Sequence, residues 1–178
     1  MANADLPTRH EAIHVLEAGR ARIEELLDRL PSKEMTTQGL GGGTWSPKDL
    51  IGHLASWEEY ALDALAAWER DERAPIDELQ FTLSTSRIND QAVQRKAGWS
   101  VARVRRDAER THRELVEAVA GMSDARWNAP TTTRGRKPLG ARVGAIVGGA
   151  HLFDHDASHL KSLAAFVQRH ASAARPGA

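Results

Sequence analysis

The chain has 178 residues, 41% of them hydrophobic and 27% charged, which suits one globular domain with a substantial core. Its 24 basic residues balance 24 acidic ones, so net charge offers no electrostatic case for nucleic acid or an anionic membrane as a partner. No cysteine is present, which excludes disulfides, cysteine-ligated zinc and a nucleophilic thiol of the chain's own.

No apolar run approaches the length of a membrane span, and the first residues lack the basic and apolar regions of a signal peptide, so a cytoplasmic location is expected. Sustained two-residue alternation is missing, and four long helical segments stand out instead. The first runs from about Thr8 to Leu30, with Ile13, Leu16, Ile23, Leu27 and Leu30 on one face. The second opens on Ser46 as cap, Pro47 at the first helical position and Asp49 three residues after the cap. It continues to about Arg70, with Leu50, Leu54, Trp57, Ala61, Leu65 and Trp68 inward. The third is interrupted at Gly98: one piece covers Ser86 to Lys96, and Ser100 caps a longer piece to Ala120. The fourth is expected from Pro138 to about His170, with Leu152, Leu160, Leu163, Phe166 and Val167 on its apolar side. The connections 31–45 and 121–138 are long for an up-down bundle and suit crossovers. A single all-α domain over 1–178 is expected, a four-helix bundle with frayed tails at 1–6 and 171–178.

Histidines carry the chemistry. His155 and His159 are spaced i,i+4, which on a helix stacks two rings on one face about 6 Å apart. They fall at the edge of the fourth apolar stripe, and His53 lies within the apolar side of the second helix, between Leu50 and Trp57. An inward ring without a partner costs about 1–3 kcal/mol. Each ring could be hydrogen-bonded separately, but one shared cation satisfies all three, so His53, His155 and His159 are read as metal ligands. His151 extends the spacing to i,i+4,i+8 and is read as pocket lining. It and Glu58 are the candidates for moving a proton. Asp154 and Asp156 are read as solvated, with either able to orient a ligand ring.

Trp57, one turn from His53, is placed at a pocket wall, and Arg134 and Arg136 could grip an anionic substrate group from their loop. His10-Glu11-Ala12-Ile13-His14 matches the H-E-x-x-H pattern of zinc proteases. His14 projects opposite the stripe of Leu16, Ile23 and Leu27, so this match is rejected.

Two segments, Gly43-Thr44-Trp45-Ser46-Pro47 through His53 to Glu58 and His155-Asp156-Ala157-Ser158-His159-Leu160, resemble the DinB-like superfamily of metalloenzymes. Arg87-Ile88-Asn89-Asp90-Gln91 is similar to the branch that contains the colibactin self-protection proteins. The resemblance implies a bundle with long crossovers, often dimeric, and a metal held by His53, His155 and His159. It also implies reactions that use a low-molecular-weight thiol such as mycothiol or bacillithiol, or hydrolysis, or a resistance role. The expected function is therefore a divalent-metal-dependent transferase or hydrolase acting on a small electrophilic molecule, with zinc the first choice and nickel or iron(II) fitting the same ligands. The competing expectation is a non-catalytic protein that sequesters a reactive metabolite. No nucleic acid and no membrane are expected as partners, and a homodimer is.

Overall fold

The computed structural model describes residues 6–131 and 137–171. Among the described residues it contains helices and no β-strand. The order is α1 (Arg9–Leu27), α2 (Pro47–Glu69), α3 (Pro75–Thr82), α4 (Thr85–Lys96), α5 (Val101–Ala120), α6 (Asp124–Asn128), α7 (Leu139–Ile146) and α8 (His155–Ala171). The four-helix bundle consists of α1, α2, α5 and α8, as the apolar periodicity implies, with the shorter helices in the crossovers. The tails expected to fray lie almost wholly outside the described residues; Leu6, the exception at the N-terminal side, packs against the core.

Local signals start the helices. Thr8 and Glu11 form a capping box at α1, and Ser46 and Asp49 form one at α2, each satisfying amides that a helix start leaves unpaired. Ser100 caps α5, and the backbone breaks between Lys96 and Val101 around Gly98. Apolar burial then assembles the bundle. α2 is its centre: it is buried on almost every face from Pro47 to Trp68 and packs on α3, α4, α5 and α7. α1 packs on α8 and α5. Two apolar clusters result, one around Trp57, Trp68, Leu115 and Trp127, the other around Leu27, Leu54, Val104 and Phe166.

The expected fourth helix is two helices. α7 ends at Ile146, and α8 starts only at His155, so Leu152 sits in a turn rather than on a helical stripe. The reason lies in Phe153, whose φ of 67° is a left-handed conformation that an L side chain adopts only at a cost. Burial offsets that cost: Phe153 is 1% exposed and stacks on Trp127 at 5.7 Å between ring centroids. Its amide donates to the Gly144 carbonyl, and the His155 amide donates to Val147, so the turn folds back on the end of α7.

The ring of Phe153 lies where a larger residue 144 would be. A Cβ on Gly144 would stand 2.5 Å from Phe153 Cε2, closer than any real contact, and the stacked ring has no room to retreat. Gly144→Ala should therefore destabilise the fold by about 1–3 kcal/mol, read as a lowered midpoint in urea unfolding. An unchanged midpoint would show that the 147–154 turn is not held by this contact.

Candidate metal centre

The turn before α8 aims the first residue of that helix at α2. Asp154 holds the turn: its carboxylate accepts from the Gly149 amide at 2.6 Å and the His151 amide at 3.0 Å. Gly149 lies tight on the next helical turn, where a Cβ would meet Ser158 Cβ at 2.7 Å. His155 then opens α8 and His159 follows one turn later, while α2 presents His53 from the opposite side.

The three rings converge. His53 Nε2 lies 3.0 Å from His155 Nε2, and His159 Nε2 lies 3.3 Å from the same atom. One nitrogen from each ring falls within 4.8 Å of the others. Ligands about 2.0–2.1 Å from a common ion are separated by about 3.0–3.4 Å, so the spacings of His53 and His159 from His155 match donors of one divalent transition metal. Direct hydrogen bonds fit it less well, because His155 Nε2 faces two rings at once and His53 Nδ1 is buried with no partner among the described residues.

Electrostatics agree. Burial pushes the His53 imidazole down to about 2, and the neighbouring His155 and His159 add to the effect. Burial likewise lowers His155 to about 4, with His159 adding and Asp156 opposing. His159 is lowered by burial against the pull of Asp156. All three rings are neutral at pH 7, which is the form that binds a metal.

Around them lies a cavity of about 310 Å³. Trp57 forms one wall, 5.9 Å from His155 between ring centroids, and its indole N–H donates to Asn89 Oδ1 at 2.9 Å. Trp45 covers His53 at 4.8 Å. Gln80, Thr85, Asn89 and Ser158 also line the cavity. Sequence reasoning did not single these out; the one available signal was the Arg87–Gln91 segment, which contains Asn89.

The other site candidates lie elsewhere. His151 is exposed in the turn, so the i,i+4,i+8 ladder does not form: α8 starts four residues later, and His151 does not line the cavity. Glu58 is buried but faces away from the histidines into a second polar cluster. Its carboxylate meets His112 Nδ1 at 2.6 Å and Arg20 at 3.1 Å, and Arg20 Nε also donates to Asp156 at 2.7 Å. Asp156, expected to be solvated, is thus buried. Burial works against the Arg20 charge, but Asp156 and Glu58 outweigh it and hold its pKa above the ordinary arginine range. His14 is exposed, as its rejection requires. Arg134 and Arg136 lie outside the described residues.

A family model of the DinB superfamily matches residues 15–163. The chain belongs to the DinB superfamily. No curated protein shows significant sequence similarity to it. Its fold is similar to that of an uncharacterised protein from Escherichia coli UTI89, with a TM-score of 0.76 at 13% identity over 92% of this chain and 95% of that one. It is also similar to the colibactin self-resistance protein ClbS in complex with double-stranded DNA, with a TM-score of 0.70 at 12% identity over 93% of this chain and 96% of that one. ClbS represents the branch that Arg87–Gln91 resembles.

The ClbS complex corrects the expectation that nucleic acid is no partner: a bundle of this fold has been solved on duplex DNA. Net charge was the wrong measure, because it averages the whole surface while phosphates meet a local one. The exposed Arg103, Arg106, Arg110 and Arg113 follow one another along α5 of a chain whose net charge is zero. No helix among the described residues is long and apolar enough to cross a membrane.

Two measurements test this electrostatic arrangement. Unfolded histidines take up protons below about pH 6.5, whereas folded His53 and His155, lowered to about 2 and about 4, stay neutral through most of the range below it. The unfolded chain therefore binds more protons, and chelator-treated protein should lose stability as pH falls from about 6.5 toward 4, by up to about 1.4 kcal/mol per unit for each of these two rings. Urea midpoints measured across that range should slope less in His53→Leu; equal slopes would contradict buried neutral rings. Separately, Arg20→Met leaves Glu58 and Asp156 buried without their shared cation and should cost about 3–5 kcal/mol in urea unfolding. A near-neutral result would mean that water reaches the cluster.

Proposed function

We propose that the chain is a divalent-metal-dependent enzyme of the DinB superfamily that activates water or a low-molecular-weight thiol for attack on a small electrophilic substrate. The observation that carries this reading is the convergence of three neutral imidazole nitrogens at the wall of an open cavity. His53, His155 and His159 would hold the ion, with zinc favoured and nickel or iron(II) compatible with the same donors. A bound ion supplies Lewis acidity, and three uncharged ligands leave that acidity undiminished. Trp45 and Trp57 shield the ligand rings from bulk water. The absence of cysteine means that any thiol comes from outside, and transferase and hydrolase versions differ only in which nucleophile enters the cavity. A homodimer belongs to the same reading and rests on the sequence resemblance; a cytoplasmic location is the setting expected for it.

A second reading is favoured by the self-resistance role of ClbS: capture of a reactive metabolite without turnover. Duplex DNA belongs to this reading, with the α5 arginines as the surface that would meet its phosphates.

His53→Ala, His155→Ala and His159→Ala should each lower the bound metal, measured by elemental analysis of purified protein, to less than about a tenth of the wild-type content, because three donors of one ion do not act independently. His14→Ala should leave it unchanged. Full metal content in all three site variants would end the proposal. Substrate loss that stops at one equivalent of protein would select capture over catalysis.

A further inference from the structure

We infer that the cavity takes a small carboxylate, one of whose oxygens is received by the Asn89 side-chain amide; this rests on the metal reading above and names the substrate class of the same site. The orientation of that amide is decided by its neighbour. An indole nitrogen only donates, so the atom 2.9 Å from Trp57 Nε1 has to be the Asn89 oxygen. The Nδ2 group is thereby left as the free end, with two N–H donors and no partner among the described residues, on a residue that lines the cavity. A fixed donor at a cavity wall selects an acceptor oxygen.

Charge selects which acceptor. No carboxylate among the described residues lines the cavity, and imidazole adds no charge of its own when it binds a metal. The acids adjacent to cavity residues point elsewhere: Asp154 is held by two amides of its own turn, Asp156 by Arg20 and Glu58 by Arg20 and His112, while Asp90 lines a different cavity. Loaded with a divalent ion, the site therefore carries uncompensated positive charge. The twelve-residue helix α4 adds to it, since Thr85 at its first position and Asn89 one turn later both line the cavity and bring its positive end there. A volume of about 310 Å³ admits a small organic acid.

The test uses full-length, zinc-reconstituted or cobalt-reconstituted protein, with acetate as the anionic probe and imidazole as a neutral ligand of the same ion. Asn89→Asp keeps the oxygen that accepts from Trp57 while replacing the donor group by negative charge. Acetate affinity, followed by the cobalt absorption spectrum or by calorimetry, should fall at least about tenfold, the effect of losing one charge-assisted hydrogen bond. Metal content and imidazole affinity should stay within about twofold of wild type. Trp57→Phe, which removes the N–H that sets the amide, should weaken acetate binding in the same direction with imidazole unaffected, and it serves if Asn89→Asp misfolds. Unchanged acetate affinity in a metal-replete variant, or an equal loss of acetate and imidazole, overturns the carboxylate assignment alone. Wild-type protein that takes up no metal overturns the metal reading, and this assignment with it.

Discussion

Three imidazoles buried too close together to share charge are the constraint around which this molecule is arranged. Protonating a ring nitrogen 3.0 Å from a second, with a third within 4.8 Å, is disfavoured alongside its neighbours in this partly buried site. Nor can they satisfy one another fully, since His155 Nε2 is approached from two sides and His53 Nδ1 has no partner among the described residues. The fold is nevertheless organised to bring them together. α2 is buried along almost its whole length, and the α7–α8 turn adopts a left-handed Phe153 so that His155 opens α8 at the right place. Structure that holds polar groups in mutual conflict usually serves something that resolves the conflict, and a cation does so for all three.

The second buried polar cluster is the complement of the first. Arg20 lies between Glu58 and Asp156, and His112 closes the far side of Glu58. These charges are settled among themselves, and their settlement leaves the histidine cavity free of acids. Asp156 is the hinge between the two: adjacent in sequence to His155, it ties the start of α8 to α1, where Gly19 lets the helices approach until a Cβ there would stand 3.0 Å from Asp156 Cβ. One ion pair that touches none of the histidines thus helps to anchor the helix that carries two of them.

Much of this was legible in the chain because it depends on local or periodic signals. Ser46, Pro47 and Asp49 announce α2; Gly98 and Ser100 divide α4 from α5; the helical faces of His53, His155 and His159 follow from a 3.6-residue period. What escaped depends on tertiary contact. Periodicity carried the fourth helix straight through 147–154, because an apolar Leu152 and Phe153 fit a stripe as well as a buried turn. The adjacent Gly148 and Gly149 were the available warning. The same limit hid Arg20. The apolar steps along α1 skip from Leu16 to Ile23, and the gap is filled by Gly19 and Arg20, the close approach and the buried guanidinium. Such a skip in an otherwise regular face marks where the face meets something polar, and here that something is the Glu58 carboxylate, drawn to the guanidinium rather than to the histidines.

Membership of the DinB superfamily transmits the bundle and not the reaction, and the placement of residues shows why. At 12–13% identity the neighbours still superpose over more than nine-tenths of the chain, because the core needs only apolar volume in the right period. The histidines sit on the bundle helices. Gln80, Thr85 and Asn89 do not: they come from α3 and α4, the crossover between α2 and α5, whose exposed faces pack on little. Substitution there costs the bundle almost nothing while it rewrites the donors that a substrate meets. Specificity in such a protein is therefore to be read from the crossover, and the helices that carry the histidines say only where an ion would be held.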